Sequence, residues 1–264
     1  MPAESTTLPH STHDASHNHG DVAHHFDDAS QQHSAAMLGM WSFLATEVLF
    51  FGGLFTAYAV YRTKAPLQVT LASHHLNIPL GALNTALLLV SSLLVALSVR
   101  AAQLGKTRQV VWLLVGTIAL GFGFLGIKAI EWHTDWQENL VPFFGNWDWN
   151  SHALHEDAQR LESAFQSTVR AQTEEGTALE RVRFFGMYRM FFVLYFFMTG
   201  LHAIHLIIGL GIFGVVIWLV RKRARAGASS INLVETTGLY WHFIDIVWVF
   251  LYPLLYLIDP RFHS

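Results

Sequence analysis

Seven polar side chains stand in stretches otherwise too apolar to hold them: Glu47, Asn84, His202, His205, Glu235, His242 and Asp245. An ionisable group at membrane depth is costly unless it faces a protein partner or a wet cavity, so each needs a neighbour. Glu47 lies among Phe43, Phe50, Phe51 and Leu54. There it is expected to act in a proton or headgroup contact, or to bond another helix. His202 and His205, at i and i+3, share one helical face. Glu235, Gly238, His242, Asp245 and Trp248 recur at steps of three and four, so they line one face of a last helix. Asn84 is expected to be an interhelical hydrogen-bonding residue.

Three kinds of chemistry fit this set. Mid-span histidines could ligate haem in a b-type cytochrome. Such sites use paired histidines on two helices, which the spacing does not reproduce. Buried acids could carry protons or metal ions in a transporter, but no repeat relates the two halves of the chain. Buried polar groups could also fix the packing of a non-catalytic subunit in a larger membrane complex. No phosphate-binding glycine loop, HExxH pair or nucleophile elbow is present. The chain has no cysteine, which excludes disulfides and cysteine-based metal or redox sites.

The elements that must position these residues are long apolar blocks. Charged residues make up only 13% of the chain and fall mostly between the blocks. The pattern predicts an all-α, polytopic membrane bundle of five transmembrane helices with one amphipathic helical loop. The spans are expected at about 36–61, 78–99, 110–130, 191–220 and 233–258. Small-residue stripes on three spans should allow close helix approach: Gly39, Ser42, Thr46, Gly53 and Ala57; Gly116, Ala119, Gly123 and Gly126; Gly200, Ala203, Gly211 and Gly214. Asn77 followed by Pro79 reads as a helix start. Lys128 and Glu131, one turn apart, should pair or snorkel. Trp132 and Trp136 mark an interface.

Residues 1–35 are His-rich, lack Lys and Arg, and carry no apolar core. They read as a disordered tail without a metal site, and insertion is expected to rely on the first span. Residues 137–183 form the one sizeable loop. Leu154, Leu161, Phe165 and Val169 make its apolar side, expected to lie on this protein's own membrane face or to dock a partner. Arg100, Lys106 and Arg108 follow the second span, and Arg221, Lys222, Arg223 and Arg225 follow the fourth. By the positive-inside rule the N-terminus is cytoplasmic and the C-terminus external.

Several stretches resemble subunit III of the haem–copper oxidases. They are ATEVLFFGGLF (45–55), PLGALNTALLLVSS (79–92), IEWH (130–133), TGLHAIHLIIG (199–209) and Glu235 with LYWHFIDIVWVFLYPLLYL (239–257). They fall in all five spans in order, leaving out the tail and loop 137–183. The resemblance implies a subunit of a proton-pumping terminal oxidase in a bacterial inner membrane, with cytochrome c as the first-choice donor and quinol, or a nitric oxide reductase, as alternatives. It implies that this chain has no catalytic residues and binds no metal, the haem and copper lying in subunits I and II. It also implies packing on subunit I beside subunit II, retention of phospholipid, and support of proton uptake and active-site durability. Glu47, Asn84, His202, His205, Glu235, His242 and Asp245 would then be structural, lipid-adjacent or proton-related. Loop 137–183 would be a docking surface for cytochrome c or a further respiratory complex, and nucleic acid would have no part. The family's longer members begin with two further helices that enclose lipid. This chain lacks them, and an extension of subunit I is expected to supply them.

Overall fold

The computed structural model describes residues 29–143, 147, 152–169 and 174–258. All regular structure among them is helical: α1 (Ala29–Lys64), α2 (Pro66–Ser73), α3 (Ile78–Gln103), α4 (Thr107–Gln137), α5 (His152–Val169), α6 (Glu174–Arg225) and α7 (Ile231–Tyr256). Five of these, α1, α3, α4, α6 and α7, are long and apolar enough to cross a membrane. Residues 1–28, most of the His-rich tail, lie outside the described residues.

The helix ends follow from local chemistry. Asn77 caps α3 by accepting a hydrogen bond from the Leu80 amide at 3.2 Å, with proline in the first turn. α3 and α6 each close in a left-handed turn, at Gly105 (φ 69°) and Gly227 (φ 72°). In both, the following amide reaches back across the turn, Lys106 to Ala101 and Ala228 to Arg223. α4 ends the same way at Asn139 (φ 59°), where Leu140 bonds back to Asp135.

Between the first two spans, where the sequence pattern predicts no element, the chain forms α2. Its buried Gln68, Val69, Leu71 and Ala72 tuck under α6, so this connection is part of the core. α6 is far longer than one crossing. Its 52 residues span about 78 Å at about 1.5 Å per residue, against a hydrocarbon core of about 30 Å. The surplus projects beyond the bundle at its N-terminal end, where α5 packs on it.

α7 is the hub, packed against α1, α3 and α6. Its two indoles, both fully buried, fill the centre. Trp241 donates to Ser91 Oγ at 3.0 Å and Trp248 to Thr85 Oγ1 at 3.1 Å, both on α3. A Cβ at Gly209 of α6 would come within 3.1 Å of the Trp241 ring, and one at Gly121 of α4 within 3.2 Å. Helices in lipid gain no hydrophobic attraction for one another, so close packing and satisfied indoles must hold this centre.

α1 is the peripheral span. Leu44, Phe51 and Tyr58 face α6 and α7, while Leu38, Trp41, Val48 and Leu49 are exposed. Its small-residue stripe does not pack within this chain: Gly39, Ser42, Thr46, Gly53 and Ala57 all face outward. A Cβ at Gly39 or Gly53 would meet nothing within 4 Å. On α4, Gly116 and Gly123 do approach α3, at Leu94 and Leu87, whereas Gly126 is open; on α6, Gly200 meets Trp132 but Gly211 and Gly214 are open. The tightest approaches, at Gly121 (2.7 Å to Leu210) and Gly81 (2.8 Å to Tyr252), lie outside the predicted stripes.

Candidate functional site

The polar residues separate into two mid-bundle sets and one at the end of the bundle where α2 and α5 lie. The first mid-bundle set joins α1 to α6. His205 Nε2 stands 3.2 Å from Glu47 Oε2, at 15% and 18% side-chain exposure. The approach has the distance of an ion pair without hydrogen-bond alignment. His205 Nδ1 is 2.9 Å from the Leu201 carbonyl, which can only accept, so Nδ1 carries hydrogen. Nε2 therefore presents a lone pair or a second N–H to the carboxyl group. One proton between the two makes the pair neutral overall, whichever partner holds it. The Phe51 ring closes over His205 at 5.4 Å, and the Tyr240 hydroxyl donates to the His205 carbonyl.

The second set joins α3 to α7. Gln103 donates to Glu235 Oε1 at 3.0 Å, Gly238 packs on Val95, and Ser92 Oγ lies 2.6 Å from His242 Nδ1. Asp245 is buried beside Ser92, with both carboxyl oxygens lacking an aligned hydrogen-bond partner. Asn84, fully buried on α3, is likewise unbonded. The last helix thus turns its polar face to the second span. Of the two fourth-span histidines, His202 meets this helix at Trp248, whereas the His205 imidazole turns to Glu47. His202 is buried between the Phe124 ring (5.6 Å) and the Trp248 ring (5.0 Å), with Nε2 unpaired.

The third set was only half visible in the sequence. Lys128 is 2% exposed and does not snorkel. Its ammonium donates to Glu131 Oε2 (3.0 Å), the Tyr195 hydroxyl (2.9 Å) and the Tyr256 hydroxyl (2.6 Å), which uses all three of its hydrogens. Both tyrosines in turn donate to Glu131 Oε1. Asp135 is buried one turn further along α4, with Oδ2 unpaired. This network ties α4, α6 and α7 together. The signal for Lys128 and Glu131 was their i, i+3 spacing. Tyr195 and Tyr256 are 61 residues apart in sequence and had none.

Outside the spans, Asp157 of α5 accepts from the Tyr188 hydroxyl at 2.7 Å and sits 3.0 Å from His75 Nε2. Burial alone would raise its pKa. The hydrogen bonds from His75 and Tyr188, with the positive charges of His75 and Arg160 nearby, outweigh that and hold it below the usual carboxylate range. Leu154, Leu161 and Phe165 are buried, and Phe165 packs on Phe184 of α6. The apolar side of α5 is thus covered by the chain itself; the side chain of Val169 lies outside the described residues. Trp132 turns inward against Phe196 and Gly200, while Trp136 is 47% exposed near the end of α4. Among the described residues, no three His, Cys, Asp or Glu side chains converge as a metal site would require.

A family model described as cytochrome c oxidase subunit III matches residues 182–259, which covers the membrane part of α6 and all of α7. Curated proteins extend the likeness over nearly the whole chain. Quinol oxidase subunit 3 of Bacillus subtilis is 28% identical over 240 residues, covering 90% of this chain and 95% of its own. Cytochrome c oxidase subunit 3 of Alkalihalophilus pseudofirmus is 27% identical over 239 residues, covering 88% and 91%. Cytochrome bo(3) ubiquinol oxidase subunit 3 of Pseudomonas aeruginosa is 25% identical over 246 residues, covering 90% and 91%. The chain is thus similar over nearly its whole length to subunit III of haem–copper oxidases of both the quinol and the cytochrome c kind. Its five long apolar helices, together with these likenesses, support a multi-pass membrane protein. The Glu47–His205 pair and the α3–α7 seam both lie within the stretches that resemble the family in sequence.

Proposed function

We propose that this chain is the non-redox subunit III of a bacterial proton-pumping terminal oxidase. In this reading it packs on subunit I, beside subunit II, and holds phospholipid. It also supports proton uptake and the durability of an active site whose haem and copper lie in the partner subunits. The N-terminus faces the cytoplasm and the C-terminus the periplasm, because the connections rich in Lys and Arg share the side of the N-terminus.

The observation that carries this reading is the placement of the Glu47–His205 pair on α1. One side of α1 sets the Glu47 carboxyl group against the His205 imidazole of α6. The other side presents small residues and large exposed apolar side chains that nothing in this chain covers. A neighbouring subunit or lipid against that face would lie within one helix diameter of a proton-holding group. The haem-ligand reading of the histidines draws no support from their surroundings. His205 faces Glu47, His242 faces Ser92, and His202 packs between two aromatic rings.

The donor is either cytochrome c or quinol, since relatives of both names match over nearly the whole chain. A copper-binding Cys and His motif in the adjoining subunit II gene would identify cytochrome c. The functional reading is tested by deleting this chain and following oxygen consumption by the remaining oxidase. It predicts a normal haem spectrum and a near-normal initial rate, followed by faster loss of activity during turnover. An oxidase whose progress curve does not change on deletion would contradict it.

A further inference from the structure

The end of the bundle carrying the α3–α4 and α6–α7 connections has a feature that none of the polar sets explains. A groove of about 730 Å³ opens between the last turn of α3 and the first turns of α4. Arg100, Lys106 and Arg108 line its rim, and Leu97, Leu104 and Trp112 line its wall. Arg221 of α6 lies beside Arg108 and Trp112 in an adjoining recess. Among the described residues, none of these four cationic side chains has a carboxylate partner in ion-pair range. The first turn of α4 has no acidic residue and Lys106, at its N-cap, makes no side-chain cap, so the positive end of the helix dipole adds to the same field. The wall is also open: Trp112 is 66% and Leu104 60% exposed.

We propose that this groove is a binding site for one anionic phospholipid. The phosphate of the headgroup would lie against Arg100, Lys106 and Arg108, and an acyl chain along Leu97, Leu104 and Trp112. A free phosphate would satisfy the cations but leave the apolar wall bare, and a neutral lipid would do the reverse. A lipid of net negative charge meets both. An exposed tryptophan level with helix-end arginines also fits the headgroup boundary of a bilayer. The site lies between α3 and α4, away from the outward face of α1, and does not depend on membership of an oxidase.

The test uses the protein purified from its own membranes in mild detergent, with whatever subunits accompany it. Tryptophan quenching is titrated with brominated phosphatidylglycerol and, separately, with brominated phosphatidylcholine. The wild type should show a saturable component with phosphatidylglycerol that phosphatidylcholine does not match. Trp112→Phe should remove that component. The Arg100→Gln/Arg108→Gln double variant should weaken it by about fivefold for each charge removed. Arg221, Lys222, Arg223 and Arg225 remain on the same end to hold membrane sidedness, and an unchanged gel-filtration position verifies folding. Equal quenching by the two lipids would overturn the proposal. So would a preference that survives the double variant, or one abolished by millimolar inorganic phosphate, which would mark a site for a soluble anion.

Discussion

His205 and Glu47 form a pair that can hold one proton between α6 and α1. Their facing atoms are 3.2 Å apart, and the other imidazole nitrogen is committed to the Leu201 carbonyl. Removing the carboxyl group with Glu47→Ala should leave assembly largely intact, because most of the α1 contact is apolar, through Leu44, Phe51 and Tyr58. Oxygen consumption should then fall off, in rate or in duration, while Glu47→Gln, which can donate to the imidazole, keeps the contact but not the exchangeable acid. The check is the ratio of this chain to haem in the purified complex, followed by the progress curve of oxygen uptake. Complete loss of assembly in Glu47→Ala would show that the pair serves packing alone.

Lys128 tests the network at the other end of the bundle. Lys128→Ala leaves Glu131 buried with no counter-charge and should destabilise the protein by about 3–5 kcal/mol. Lys128→Met combined with Glu131→Leu replaces the pair by apolar volume and should recover most of that loss. Thermal unfolding in detergent measures both. A double variant no better than the single one would mean that the tyrosine hydroxyls, and not the charge, dominate.

Two glycines with opposite surroundings separate internal from external packing. At Gly209 an added Cβ meets the Trp241 ring at 3.1 Å, so Gly209→Leu should overpack the centre and cost about 1–3 kcal/mol or more in stability. At Gly53 an added Cβ meets nothing, so Gly53→Leu should not change the thermal stability of the isolated chain. If a neighbouring helix covers the α1 face, Gly53→Leu should instead lower recovery of partner subunits. Unchanged recovery would assign that face to lipid.

Asp157 gives a pH signature outside the membrane. Its folded-state pKa is lowered, so its contribution to docking α5 on α6 is present at neutral pH and is lost as pH falls through the folded value, below the ordinary carboxylate value of about 3.9. Asp157→Asn should remove that acid dependence. It should also weaken the docking by about 1–3 kcal/mol at pH 7, since the buried Tyr188 hydroxyl loses its charged acceptor. Limited proteolysis between α5 and α6 across the pH range reports both effects.

What the sequence revealed follows from which signals are local. The five spans and the α3 start at Asn77 depend on hydropathy and on neighbouring residues, and the helices cover every predicted span except the last two residues. Periodicity placed Glu235, Gly238, His242, Asp245 and Trp248 on one face, and that face is buried. It could not say against what: the partner is α3, because Ser92, Val95 and Gln103 lie at the matching antiparallel heights. α2 was missed because eight residues in a short connection carry too little periodicity to register. The tyrosines around Lys128 were missed because their hydroxyls meet it only after three helices converge. The outward turn of the α1 glycines shows a further limit. A small-residue stripe tells that something packs closely, not that the partner is in the same chain.

The central claim, that this chain works within a haem-bearing oxidase, is tested most directly by optical spectroscopy. The chain is tagged at its C-terminus and purified from native membranes in mild detergent. Dithionite-reduced minus oxidised spectra are then recorded on the purified material. The account predicts a Soret band and α-bands in fixed ratio to this chain, lost when the partner subunit I gene is deleted. Purified chain with no haem bands, or with bands that persist after that deletion, would contradict it.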